Sequence, residues 1–275
     1  GGYDTRSVER LNPGSASSEW QYVAPLNQER RLLGVAVVDR FIYAVCGAGK
    51  GIPLNSIERY DRATDQWISD VAPSRVSRYS LGVAALDDHL YAVGGFDDFH
   101  DGLNIVECYD VRRNEWTSAA PMGSCRGSLC VSVLDGCIYA VGGKSNGPVL
   151  STVERLDPRV GRWEEVCPMS TPRFGHGSAV LHGALYVVGG YNKNSDGVSS
   201  AEKYDSRANK WISVADMNSR REGVGAAAMN GKLYAVSGRG HKTVEIFDPK
   251  TNQWKEHSKM NCERFLPGVA VLQKP

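Results

Sequence analysis

Residues 80 to 122 read Ser80-Leu81-Gly82-Val83-Ala84-Ala85-Leu86, Asp87-Asp88, then Leu90-Tyr91-Ala92-Val93-Gly94-Gly95, and, after a loop, Ile105-Val106-Glu107-Cys108-Tyr109-Asp110, Trp116 and Ala120-Pro121-Met122. The first run is short, apolar and rich in small residues, which suits a strand buried on both faces. Asp87-Asp88 marks a tight hairpin. Leu90 to Val93 predicts a second strand, ending at a Gly-Gly that permits close backbone approach. Ile105 to Tyr109 alternates as a third strand, and Trp116 opens a fourth.

The unit recurs along all 275 residues. Tryptophans stand at Trp20, Trp67, Trp116, Trp163, Trp211 and Trp254, spaced by 47, 49, 47, 48 and 43. A second series shares the period: Gly1-Gly2, Cys46-Gly47, Gly94-Gly95, Gly142-Gly143, Gly189-Gly190 and Ser237-Gly238. A fixed period of this size marks a repeat architecture. Four antiparallel strands per unit and six units predict an all-β, six-bladed propeller as one domain over residues 1–275. The chain begins at the close of a second strand and ends with Pro267-Gly268-Val269-Ala270-Val271-Leu272, a first strand. This C-terminal strand is expected to close the ring in the first blade, which the N- and C-terminal segments share, leaving no open edge. The second strand expected before Gly1 is absent from the chain. The parent protein is therefore expected to continue upstream with a short apolar segment, and a form carrying it should melt higher.

Positions filled alike in every unit serve the scaffold. They include a third-strand glutamate (Glu9, Glu58, Glu107, Glu154, Glu202, Glu245) and an arginine before the first strand (Arg30, Arg78, Arg126, Arg173, Arg221, Arg264). Equal numbers of both signs predict charge-assisted pairs that pin blade to blade, rather than an anion-binding ring.

Hydrophobic content of 41% and charge of 23% are those of a globular protein with a core. A formal charge of +1 supplies no pull towards nucleic acid or acidic membranes. No stretch approaches the roughly 20 apolar residues of a membrane span, and no cleavable signal is visible. Seven cysteines occupy unrelated places without a Cys-x-x-Cys pair, which points to reduced thiols and a cytosolic or nuclear protein.

Enzyme readings fail on context. Gly47-Ala48-Gly49-Lys50-Gly51 imitates a phosphate-binding loop, but Ala44 and Gly51 stand where the pattern needs glycine and Ser or Thr. Gly223-Val224-Gly225 with Ala228 falls in a first strand rather than a strand-to-helix turn. The histidines are scattered over different blades, and Asp98-Phe99-His100-Asp101 reads better as a solvated loop than as a cation site. No catalytic residue, metal or cofactor is expected.

The double glycine, third-strand glutamate, Tyr-Asp and tryptophan resemble the Kelch repeat. Val153-Glu154-Arg155-Leu156-Asp157 and Ala120-Pro121-Met122 are phrased as in the Kelch-like family, whose members join BTB, BACK and Kelch domains. Departures are small: Cys46 and Ser237 replace a glycine, Leu11-Asn12 replaces Tyr-Asp, and two extra residues separate Asn12 from Trp20. The resemblance implies a substrate-recruiting module of a cullin-3 RING ubiquitin ligase, in which BTB and BACK parts, not present in this chain, would engage cullin-3. Actin binding, found in other Kelch proteins, is the alternative.

Function is expected on the face built by loops leaving Gly-Gly and loops entering the first strand, because variable loops on a rigid scaffold carry binding. After the double glycine stand Tyr3, Phe96, Lys144, Tyr191 and Arg239. After the repeated arginine stand Arg31, Tyr79, Phe174, Glu222 and Phe265, with Ser80 and Ser128 one position on. His100, Asp101, Lys193 and His241 lie in the same loops. In the Kelch-like family both sets point into a pocket at the channel mouth. Phe96 to Asp101 is acidic and aromatic, whereas Lys144, Lys193, Arg239 and Lys242 are basic. A peptide of mixed charge is the expected ligand, its acidic part towards the basic blades.

Overall fold

The computed structural model describes residues 6–12, 19–192 and 197–272. It contains five four-stranded antiparallel sheets, the strands of each lying side by side in chain order. In the blade around Trp116 the strands are Gly82–Leu86, His89–Val93, Val106–Asp110 and Glu115–Ala119, here called a, b, c and d. The others have their a strands at Gly34–Val38, Cys130–Leu134, Gly177–Leu181 and Gly225–Met229. Neighbouring a strands contact one another around the axis, so a is innermost and the tryptophan strand d outermost. The a–b turns have the expected chemistry: Asp87, Asp135, His182 and Asn230 all adopt φ of 50° to 52°.

Among the described residues the propeller has five blades, not six. The unit of Trp20 contributes only a two-stranded sheet, Val8–Leu11 paired with Trp20–Val23. The residues expected as the closing strand, Pro267 to Leu272, enter no strand ladder among the described residues. The reason lies in strand b. Five such strands occur among the described residues, and an a strand without a b neighbour has no partner for its backbone groups. The C-terminal segment still fills the gap in the inner ring. A Cβ on Gly225 would meet Val269, and one on Gly268 would meet Val35 across the junction.

The core lies between sheets. Tyr43, Val45, Leu90 and Trp116 share one buried cluster, and Leu185, Val187, Tyr204 and Trp211 belong to another. Cys46 and Ser237, standing where other units have the first glycine, keep the left-handed backbone at φ 55° and 61°. All seven cysteines are free.

The arginine–glutamate pairs form in every unit, each joining the loop before the first strand to the third strand of the same unit. Arg126 meets Glu154 at 2.9 Å, and Arg30 meets Glu58 at 2.9 Å. Each glutamate also accepts backbone N–H bonds from the connection that arrives from the preceding unit, as Glu154 does from Gly123 and Ser124 at 2.6 and 3.1 Å. Five of the six guanidinium groups are 0% exposed, which leaves no anion-binding ring.

Tryptophan makes the link between blades. Trp116 donates its indole N–H to Ala72 O of the preceding blade at 2.8 Å, and Trp163, Trp211 and Trp254 repeat the bond at 2.8 Å. Trp116→Phe keeps most of the apolar area but leaves this carbonyl unpaired. It should cost about 1–2 kcal/mol in chemical denaturation with the far-UV spectrum unchanged. A loss of only a few tenths would deny the bond a role in stability.

Candidate functional site: the channel mouth

One end of the channel is rimmed by residues in left-handed backbone conformation. Leu32, Ser80, Ser128, Gly175, Gly223 and Leu266 have φ of 56°, 53°, 51°, 58°, 64° and 50°. Backbone bonds link them round the rim: Ser80 N to Leu32 O, Ser128 N to Ser80 O, Gly175 N to Ser128 O, and Leu266 N to Gly223 O, at 2.7 to 2.9 Å. The rim is therefore rigid, and it sets the direction of the residue immediately before each position.

Those preceding residues meet the ones that follow each double glycine. Isolated antiparallel bridges join Arg31 to Ala48, Tyr79 to Phe96, Gly127 to Lys144 and Phe174 to Tyr191. Arg239 N donates to Glu222 O at 2.8 Å in the corresponding place. The two sets read from the sequence thus form one paired surface. Tyr3 and Lys193 lie outside the described residues.

The side chains sort into three groups. Tyr79 and Phe96 stack with centroids 5.7 Å apart, and Tyr79 shares its hydroxyl hydrogen bond with His100 Nδ1. Burial and the Asp97 carboxylate push the Tyr79 hydroxyl pKa up, so it remains protonated. Phe174 and Tyr191 meet edge to face at 4.9 Å, with Lys144 Nζ 5.8 Å from the Phe174 ring centre. Arg239 lies 4.9 Å over Phe265 and 3.6 Å from the Glu222 carboxylate, and is still 66% exposed. Arg31 and Lys144 are exposed, and among the described residues neither forms an ion pair. His241 is half-buried, its N–H donating to Gly238 O at 3.0 Å.

The acidic loop is held by its own carboxylates. Asp97 Oδ1 accepts the N–H groups of Phe99 and Asp101 at 2.9 and 3.0 Å, and Asp101 accepts from Asn146 Nδ2 of the next blade at 2.7 Å. Asn146 Oδ1 in turn accepts Gly102 N–H at 2.8 Å. This latch was not foreseen, since only ring geometry brings residue 146 beside residue 101. Phe96 also crosses the blade junction, its ring filling the space that a side chain on Gly127 would take. Phe99 in the same loop is 84% exposed.

The chemistry available is that of binding. Aromatic faces, a cation over a ring and exposed guanidinium and ammonium groups line the mouth. Ala48-Gly49, the core of the phosphate-loop imitation, is a two-residue strand paired with Ile52-Pro53. Among the described residues no cluster of three potential metal ligands occurs.

No curated protein matches the chain. Among solved structures, one described as "Structure of YjhT" superposes with a TM-score of 0.81 at 15% identity, covering 92% of this chain and 91% of the other. At that identity the likeness establishes the fold alone. The Kelch motif matches residues 77–123, 125–170, 172–218 and 220–261, each segment running from just before a buried arginine to just beyond a tryptophan strand. The blade of Gly34–Ile68 lies outside these segments yet has the same strand order. With four matched repeats spanning most of the chain, the protein belongs to the Kelch-repeat family.

Proposed function

We propose that this Kelch propeller, a fold that serves generally as a protein-interaction module and a non-enzymatic scaffold, captures an extended peptide of a partner protein across the channel mouth. The observation that carries the reading is the bridged surface: Tyr79 on Phe96, Phe174 on Tyr191, and Arg239 over Phe265. Aromatic residues and arginine dominate interface hot spots. Lys144 and Arg239 favour an acidic segment on their side, while the loop of Asp97 and Asp101 favours a basic or hydrogen-bonding one.

The resemblance to Kelch-like proteins supports a finer role: recruitment of a substrate to a cullin-3 RING ubiquitin ligase in the cytosol or nucleus, with cullin-3 engaged by BTB and BACK parts outside this chain. Peptide display against the propeller tests the mouth directly. Phe96→Ala and Arg239→Ala should each weaken selected peptides by about ten-fold or more, equivalent to at least about 1.4 kcal/mol. Unchanged affinity for both variants would sink the choice of face. Cosedimentation with filamentous actin, not competed by any short peptide, would favour the cytoskeletal alternative.

A further inference from the structure

Asn-Gly occurs twice in the chain, at Asn146-Gly147 and at Asn230-Gly231. The second pair is locked. It forms the a–b turn of its blade, where Met229 pairs with Lys232 and the two residues stand at φ 52° and 71°. The first pair is the tip of the loop that carries the latch to Asp101. This tip lies in no strand, and Asn146 and Gly147 are both exposed. The isolated bridge between Lys144 and Val149 closes the loop below it, with Ser145 N–H donating to Pro148 O at 3.4 Å.

A backbone nitrogen can attack the side-chain carbonyl carbon of the residue before it when it is unshielded and its peptide plane can turn. Gly147 has no side chain over its nitrogen, and a Cβ placed there would meet nothing within 4 Å. Among the described residues its N–H has no hydrogen-bond partner to hold the plane in place. Gly102 N–H donates to Asn146 Oδ1 at 2.8 Å, the oxygen that takes up negative charge during such an attack. At Asn230-Gly231 the same turning would break the hairpin.

We propose that Asn146 is a site of deamidation, and that its conversion to a carboxylate releases the acidic loop of Asp97 to Asp101. The co-reactant is water. The deprotonated nitrogen of Gly147 attacks Asn146 Cγ; a Cγ–N bond forms, the Cγ–Nδ2 bond breaks, and ammonia leaves with a proton from solvent. Water then opens the cyclic imide at either carbonyl, giving aspartate or iso-aspartate. In sum, an amide and a water become a carboxylate and an ammonium ion. The group lost is the Nδ2 that holds Asp101 at 2.7 Å. An oxygen takes its place, so carboxylate faces carboxylate where a charge-assisted hydrogen bond had been. Iso-aspartate also lengthens the backbone by a methylene, which shifts the tip away from Gly102.

The test keeps the folded chain in mildly alkaline buffer, digests samples over time and separates the amide, aspartate and iso-aspartate peptides by mass spectrometry. Asn146 should convert about ten-fold faster than Asn230, or more. In urea the two rates should draw together, since the unfolded chain presents the same dipeptide at both places. Gly147→Ala, which has room for its methyl group and no positive φ to strain it, should slow Asn146 by about ten-fold. Asn146→Asp supplies the product directly. Its amide hydrogens over residues 97–102 should exchange about ten-fold faster than in the unmodified chain, the readout of a released loop. Equal rates at Asn146 and Asn230 in the folded chain would overturn the proposal, as would unchanged exchange in Asn146→Asp. No peptide ligand enters these measurements, so their outcome is separate from that of the mouth.

Discussion

Arg126→Ala lowers the free energy of unfolding by about 3–5 kcal/mol, the cost of leaving a buried charge without its partner. The guanidinium of Arg126 is 0% exposed and bonds Glu154 Oε1 through Nε and Nη2 at 3.2 and 2.9 Å. It also donates to Gly142 O, Thr152 O and Thr152 Oγ1 at 3.0, 2.8 and 2.9 Å. Truncation therefore leaves the buried Glu154 carboxylate with backbone N–H partners but no countercharge, and takes the guanidinium bond away from Gly142 O. Lysine is no rescue, because a single ammonium cannot address acceptors on three sides as the planar fork does. Denaturation midpoints in urea supply the measurement. Arg264→Ala is the internal comparison: its guanidinium is 16% exposed, so water relieves part of the loss and the decrease should be smaller. A loss below about 1 kcal/mol for Arg126→Ala would show that solvent enters the site in the folded chain.

The second large effect concerns acid. His176 is 2% exposed, and neither ring nitrogen has a hydrogen-bond partner among the described residues. Burial, and then the charge of Arg173, hold its pKa down at about 3, against an ordinary value of 6.5. On acidification the unfolded chain takes up this proton near pH 6.5, while the folded chain resists it until about pH 3. The stabilisation is whole above the unfolded value and drains away as the pH falls towards the folded one. Between pH 7.5 and 4.5 the loss amounts to about 2.5 kcal/mol from this group. His176→Leu, of similar volume and uncharged, should flatten the pH dependence of stability by that amount. Parallel curves for the two proteins would mean that His176 is hydrated or paired in solution.

Both predictions rest on residues whose roles were legible to different degrees. Arg126 could be set aside as scaffold from the sequence, because an arginine and a glutamate recur together in every unit. That the pair closes within one unit, while tryptophan links neighbouring blades, depends on where the connection between units runs. Periodicity carries no such information. His176 gave no signal at all. Its sister positions are Leu33, Leu81, Leu129, Val224 and Pro267, and only burial on the ring axis makes a histidine there titrate abnormally.

The candidate mouth divides in the same way. That residues after Gly-Gly and after the repeated arginine share one end of the propeller followed from the repeat, and Phe96, Tyr79, Phe174, Tyr191 and Arg239 do lie there. Their partners did not follow. Tyr79 with His100, Asp101 with Asn146 and Phe96 against Gly127 are contacts made by loop geometry across strands or blades.

By itself, the sequence determined the repeat, the strands, their turns and the residues common to every unit. These rest on alternation, turn chemistry and period, which act over a few neighbouring residues. Only the tertiary structure decided how many sheets are complete, because a strand forms only where a neighbour in register takes up its backbone groups. That Val8–Leu11 pairs only with Trp20–Val23 among the described strands, while Gly268 packs on Val35 across the junction, is a matter of how the ring closes.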